Sequence, residues 1–307
     1  MILMAGQANK NKFFPSVFRS LRPAFMEFRK NDPLRMAGAT AFFTVFALPP
    51  ILFIIIQLFG LFTDRRNVGR ALLGRLVNTL GEDGAGQVRQ VLRSIRGFSD
   101  SWLVIITGFL FLLFVATTLF IVIKNSFNQI WQVGLKPEGG IGFQLKLRLR
   151  SLAVIIIAGI LLLTDVFIDS LELIAGDYAD TLILGSGFYF EGALSELTGA
   201  AIVALWFIII FRFLGDGRPS WKAAITGGVL TGIFFTAGKL LLWYLLVDSN
   251  ISNLFGAAGS FVLILLFVFY SSFILYYGAS FIYVYSSREG MQILPASHAY
   301  EYTVKEV

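Results

Sequence analysis

Residues 51–62 read ILFIIIQLFGLF, and residues 261–269 read FVLILLFVF. Neither run alternates between apolar and polar residues, as the strands of a membrane-spanning barrel do. Backbone groups inside a bilayer must be hydrogen-bonded within the protein, so only helices or a closed barrel can cross it. These two runs therefore predict membrane-spanning helices.

The composition of the whole chain agrees with these runs. Of its 307 residues, 56% are hydrophobic and 14% are charged, whereas a soluble domain carries about 25% charged residues. The apolar residues form blocks long enough to cross a bilayer core, which takes about 20 residues. The chain is therefore not a soluble enzyme, a nucleic-acid-binding module or a secreted disulfide scaffold. Its formal charge of +6 comes from basic residues that flank the apolar blocks, as in membrane anchoring.

We expect an all-α membrane protein built as a bundle of six transmembrane helices. An amphipathic N-terminal segment covers residues 1–34, the transmembrane domain residues 35–286, and a tail residues 287–307. The connection after the first span has two apolar stripes of helical period, separated by the glycine-rich residues 81–86, and predicts two short amphipathic helices. The six predicted spans cover about residues 36–62, 101–127, 151–174, 194–214, 221–247 and 256–285.

The charges outside the spans predict an orientation. Lys and Arg are more than twice as numerous on the side that holds both termini as on the other side, which places both termini in the cytoplasm of a cell with the protein in its inner (plasma) membrane. Residues 13–31 combine phenylalanines with arginines and a lysine. Such a segment either lies in the lipid headgroup region or caps the bundle.

Several short stretches resemble one family of membrane proteins. They are Ala37–Pro50 in the first span, Asn128–Val133 after the second, Leu214–Lys222 between the fourth and fifth, and Tyr277–Ser280 in the sixth. Their order and spacing are similar to those of YihY/BrkB proteins, in which Glu usually stands at the position of Ser280. The resemblance implies a six-helix protein of the bacterial inner membrane, of a family that has carried ribonuclease and virulence labels and suggestions of lipid transport.

Charged residues within the spans are the first candidates for function, because they are costly in a membrane. Asp165, Asp169 and Glu172 lie within about 60° of one another on the third helix. Lys239 lies at a similar depth in the fifth helix, on a face that carries Gly228 and Gly232, a spacing typical of close helix packing. The four charged residues form either a cavity that holds a proton or an anionic head group, or a buried ion pair that fixes helix register.

Other polar or unusual positions have plainer interpretations. Pro49 and Pro50 remove two backbone donors from the first span and predict a helix break or kink. Lys124 and Arg212 are expected to snorkel to the interface. Trp131, with the polar residues before it, is interpreted as an interfacial anchor, and residues 215–217 (Gly-Asp-Gly) as a turn.

The chain has few of the residue types that usually act as catalytic groups. The chain has no cysteine and a single histidine, His298, so a thiol nucleophile, a histidine-rich metal centre and a Ser-His-Asp triad are excluded. No strand is expected, and therefore no nucleotide-binding turn. We expect no enzyme, no cofactor, no metal and no nucleic-acid partner. The preferred function is that of a transporter-like protein for an anionic amphiphile or lipid, the alternative is a non-transporting scaffold for envelope assembly, and a homo-oligomer is compatible with either.

Overall fold

The computed structural model describes residues 13–59, 61, 64–96, 102–136, 186–242 and 259–302, with isolated positions between 142 and 164. The helices in these residues are α1 (Phe13–Lys30), α2 (Pro33–Phe59), α3 (Arg65–Arg96), α4 (Trp102–Ile130), α5 (Ser186–Phe213), α6 (Trp221–Leu242) and α7 (Gly259–Arg288). The strands are β1 (Val133–Leu135), β2 (Gly217–Arg218), β3 (Leu294–Pro295) and β4 (Ala299–Glu301).

The described residues contain four helices that are long and apolar enough to cross a membrane. These stretches are Pro33–Leu58, Leu113–Ile130, Trp221–Leu240 and Phe261–Arg288, and a shorter apolar helix covers Thr198–Phe213. The all-α membrane fold is thus confirmed. The predicted third span, residues 151–174, lies almost wholly outside the described residues, so the structure supports a membrane bundle without establishing six spans.

Helix α7 is the centre of the bundle. It packs against α1, α2, α3, α4 and α6, while α2 also packs on α4 and α5 on α6. The large side chains at these contacts are fully buried; they include Phe127, Phe211, Tyr276 and Phe281. Helix α7, which contributes Tyr276 and Phe281 to these contacts, therefore packs against five of the other helices described here.

The connection after the first span is one helix, so the prediction of two short amphipathic helices is wrong. Helix α3 continues through residues 81–86 from Arg65 to Arg96. Its apolar residues Val68, Leu72, Val88 and Leu92 are buried because α3 packs against α2 and α7. Glycine weakens a helix by only about 1 kcal/mol per residue, and burial of this stripe outweighs that local preference.

Pro49 and Pro50 are the positions of the predicted helix break or kink. Both prolines lie inside α2, which is helical from Pro33 to Phe59. Helical backbone therefore continues past both prolines, and a kink at these positions stays a prediction.

One end of the bundle is closed by short strands, which the sequence did not predict. Strand β1 pairs antiparallel with β4, with Val133 opposite Glu301. Strand β2 pairs antiparallel with β3, with Gly217 opposite Pro295. We call residues 291–302 the C-terminal strap and this end of the molecule the closed end. The strap joins the segment after α4 to the connection between α5 and α6.

Candidate functional site

The charged residues singled out from the sequence are only partly visible. Asp165, Asp169 and Glu172 lie outside the described residues. Lys239 lies half-buried near the end of α6. Gly228 and Gly232 face α5: a Cβ at Gly232 would lie 3.1 Å from the Ala204 Cα, and one at Gly228 would meet Ile208. The predicted grouping of the four charges is therefore not tested.

A different charged group lies at the closed end. Asp216 is fully buried, and Lys124 is 4% exposed. The Lys124 Nζ lies 3.1 Å from the Asp216 Oδ2. Asn128 donates to the same oxygen at 2.7 Å, and its own Oδ1 accepts the Asp216 backbone N–H at 3.0 Å. A buried charge needs this kind of pairing, because desolvation without it is very costly.

The C-terminal strap completes the surroundings of Asp216. The His298 Nε2 lies 3.0 Å from the Asp216 Oδ1, and the Ala296 N–H donates to the Asp216 carbonyl at 2.8 Å. Burial on its own raises the pKa of this carboxyl, but the Lys124 charge and the hydrogen bonds from Asn128 and His298 outweigh it and hold the pKa below its usual value. The carboxylate is thus ionised and fully engaged, as in a structural ion pair.

The indole ring of Trp131 packs against the backbone on both sides of Asp216. It is 2% exposed, and its Nε1–H donates to the Ala279 carbonyl of α7 at 3.0 Å. A Cβ at Gly217 would lie 3.0 Å from the Trp131 ring, and one at Gly215 would overlap it. Only glycine allows the chain on both sides of Asp216 to cross the indole so closely.

Three interpretations from the sequence need correction here. Lys124 does not snorkel, Trp131 is not an interfacial anchor, and residues 215–217 are more than a turn. All three positions are buried because they meet one another, across separations in sequence that no local pattern reveals. The available signal was that two of the stretches resembling a known family, Asn128–Val133 and Leu214–Lys222, form this contact.

A second feature is an open cavity of about 340 Å³ between α1, α6 and α7. The Gly238 position widens it, since a Cβ there would overlap the Tyr270 ring. Phe25 and Ala237 at its rim are exposed, so the cavity opens to the outside of the bundle. Among the described residues its walls carry no charged side chain and consist of Phe25, Phe28, Phe234, Ala237, Gly238, Tyr270, Phe273, Ile274 and Tyr277.

The opening of this cavity lies between two apolar helices and the basic helix α1. Its α6 and α7 walls belong to the membrane-spanning stretches Trp221–Leu240 and Phe261–Arg288. On the α1 side, Arg22 and Arg29 are exposed one helical turn before and after Phe25. The cavity therefore has an aromatic interior, two walls on apolar helices that are long enough to cross a membrane, and a third wall on α1 that carries exposed arginines.

Comparison with known proteins identifies one family and several curated relatives. A family model described as virulence factor BrkB matches residues 24–302. Among curated proteins, the chain is 25% identical to a UPF0761 membrane protein of Teredinibacter turnerae over 80% of the chain and 55% of that protein. It is 24% identical to one of Saccharophagus degradans over 86% of the chain and 59% of that protein.

A UPF0761 membrane protein of Pseudomonas aeruginosa is 26% identical over 79% of the chain and 57% of that protein. The chain thus spans little more than half the length of the curated relatives that it matches. No solved structure matches it.

Proposed function

Because the chain belongs to the virulence factor BrkB family, whose curated relatives are named membrane proteins, we propose that it is a transporter-like protein for an anionic amphiphile or lipid. We further propose that it acts in the bacterial inner membrane with both termini in the cytoplasm, and that it is not an enzyme. The observation that carries the first proposal is the aromatic cavity between α1, α6 and α7.

The chemistry of the cavity supports an alkyl chain as the bound group. Its lining is aromatic and aliphatic, with polar atoms only at tyrosine hydroxyls and the backbone. Burial of an apolar chain against such walls is favourable in proportion to the area covered. An opening at the depth of α6 and α7 lets a lipid enter sideways from the bilayer, without passing through water.

The charge beside the cavity supports an anionic head group. Arg22 and Arg29 flank Phe25 on the exposed side of α1, and arginine binds phosphate and carboxylate groups through two parallel hydrogen bonds. No acidic side chain lines the cavity. A zwitterionic head group also offers a phosphate to these guanidinium groups but balances it with its own cation, so a lipid with a net negative head group is the better fit.

The alternative is a membrane scaffold that does not transport. The closed end favours it, because Asp216 is fully buried and held by Lys124, Asn128 and His298, which is a rigid arrangement. The two functions differ in whether a lipid bound in the cavity also crosses the membrane. They are therefore separated by measuring binding and movement on the same protein.

Binding is tested with a photoreactive fatty acid in nanodiscs that contain the full chain. Ala237→Trp fills the mouth of the cavity and is expected to reduce cross-linking to residues 270–277 at least fivefold. The matched control is Val229→Trp, which adds the same side chain to an exposed position of the same helix, outside the cavity, and should leave cross-linking unchanged. Equal labelling of both variants would contradict the proposed site.

Movement is tested in proteoliposomes with a fluorescent anionic lipid in one leaflet. We expect the protein to increase its appearance in the other leaflet, and Ala237→Trp to abolish that increase. Specific binding without movement would support the scaffold and overturn the transporter-like role.

A further inference from the structure

Helix α1 has two faces of different character. Ser20, Ala24 and Phe28 are buried against α7, where the Phe28 and Phe273 rings meet edge to face at 4.6 Å. On the other side, Phe18 is 68% exposed, Met26 57% and Phe25 48%. Large apolar side chains exposed together on one helix face mark an interaction surface.

The exposed apolar residues are interleaved with basic ones. Arg19, Arg22 and Arg29 are exposed and fall with Phe18, Phe25 and Met26 in an arc of about 120°. We call these six residues the outer face of α1. The acidic residue of this helix, Glu27, lies outside the arc and accepts a hydrogen bond from Asn31. The outer face is therefore positive and apolar at once.

The attachment of α1 holds this face at the boundary of the membrane. Only Asn31 and Asp32 separate α1 from α2, whose membrane-spanning stretch starts at Pro33. Asp32 adopts a φ of 50°, and Gln129 at the end of α4 donates to the Asn31 carbonyl at 3.3 Å. The reversal between the helices is thus fixed to the end of a second spanning helix.

The other end of α1 is fastened to α7. Arg288 donates to the Arg19 carbonyl at 2.7 Å, and the Tyr277 hydroxyl donates to the Leu21 carbonyl at 3.1 Å. These contacts are made by the backbone of α1, so they fix the helix without covering the side chains of its outer face.

We propose that the outer face of α1 binds the anionic headgroup region of the membrane in which the protein is embedded. Phe18 and Met26 enter the boundary between head groups and acyl chains, and the three arginines pair with lipid phosphates. An apolar face bordered by arginines matches the composition of helices that lie in the membrane interface, and juxtamembrane basic residues are attracted by anionic lipids. The two-residue connection to α2 also keeps α1 close to the bilayer surface, because α2 enters the membrane directly after it.

The test measures the depth of spin labels in the full chain. The protein has no cysteine of its own, so Phe18→Cys and Met26→Cys each carry one nitroxide in nanodiscs. Collisions with oxygen report lipid, and collisions with a water-soluble nickel chelate report solvent. The matched control is Arg218→Cys, at an exposed position of the closed end in β2.

We expect both α1 labels to collide with oxygen at least threefold more often relative to nickel than the Arg218→Cys label does. The ratio should be higher with one-quarter phosphatidylglycerol than with phosphatidylcholine alone, and should fall in high salt, because salt screens exposed charges. A label at residue 18 that is as accessible to nickel as the control would overturn the proposal. A label shielded from both reagents would also overturn it, since a protein partner or a second copy would then cover the face.

Neutralising the arginines distinguishes their contribution to membrane binding from that of the apolar residues. Arg19→Gln, Arg22→Gln and Arg29→Gln together should remove the difference between anionic and neutral nanodiscs at residue 18. Arg66→Gln with Arg70→Gln, at exposed positions of α3, should leave that difference intact. An unchanged lipid dependence in the α1 variant would contradict the role of the arginines. Arg22 and Arg29 also flank the aromatic cavity, so the photoreactive fatty acid is cross-linked to the same triple variant. Loss of the lipid dependence at residue 18, which does not line the cavity, with unchanged cross-linking to residues 270–277 would separate the outer face from the cavity.

Discussion

At the scale of single residues, the buried pair of Lys124 and Asp216 predicts a large effect on stability. Lys124→Met should lower the free energy of unfolding by about 3–5 kcal/mol, because it leaves a buried carboxylate without its cation. The double variant with Asp216→Asn should regain part of that loss. Denaturant titration of the purified protein measures both values.

The control for this pair is Lys222→Met. Lys222 forms an ion pair with Glu289 at 3.0 Å, but its side chain is 52% exposed, and such pairs contribute about 0–1 kcal/mol. Similar small losses in Lys124→Met and Lys222→Met would show that the buried pair does not stabilise the fold.

The lowered pKa of Asp216 predicts a dependence of stability on pH. A carboxyl whose pKa is lower in the folded than in the unfolded state stabilises the fold above its ordinary pKa of 3.8, and this contribution is lost as the pH falls through the folded value. The melting temperature of the wild type should therefore exceed that of Asp216→Asn at pH 7, and the gap should narrow below about pH 4. A gap that stays constant down to pH 3 would contradict the ionised state.

At the scale of elements, the crossing of β2 over Trp131 predicts which glycines can be replaced. Gly217→Ala should lower the free energy of unfolding by about 1–3 kcal/mol through overpacking, since its Cβ would lie 2.9 Å from Ile293 and 3.0 Å from Trp131. Gly74→Ala in α3 is the control, because no atom lies within 4 Å of its Cβ position. It should raise helix stability by up to about 1 kcal/mol. Equal changes in the free energy of unfolding for the two variants would contradict the close packing of β2 on Trp131.

The same elements explain what the sequence could and could not predict. The spans α2, α4, α6 and α7 follow from hydrophobic length, a local property. Helix α3 was misread because its glycines suggested a local break, whereas burial of Val88 and Leu92 is a tertiary effect. The group around Asp216 joins the residue before β2 to Asn128 of α4, 88 positions away, and to His298 of the strap, 82 positions away. No local pattern predicts such a contact, although two of the stretches that resemble a known family take part in it.

At the scale of the whole molecule, the shared position of α1, β2 and the strap predicts where the chain meets each side of the membrane. Strand β2 pairs with the strap at the closed end, and α1 is hydrogen-bonded to the adjoining end of α7 through Arg288, whereas α3 follows the opposite end of α2. In whole cells, Glu82→Cys in α3 should react with a membrane-impermeant maleimide, because positive residues favour the cytoplasmic side and the closed end carries more of them. Arg218→Cys should react only after permeabilisation. Both positions are exposed, and the reverse pattern would invert the proposed orientation.

The pairing of β1 with β4 also sets an order for biosynthesis. Val133 finds its partner Glu301 only after 167 intervening residues have been made, including α5, α6 and α7. A nascent chain that has inserted these helices still lacks the contacts of Ala296 and His298 with Asp216. We therefore expect this end to close late in maturation, after α7 is made, and a chain in which the strap has not docked to be cleaved by membrane proteases more readily than the finished protein.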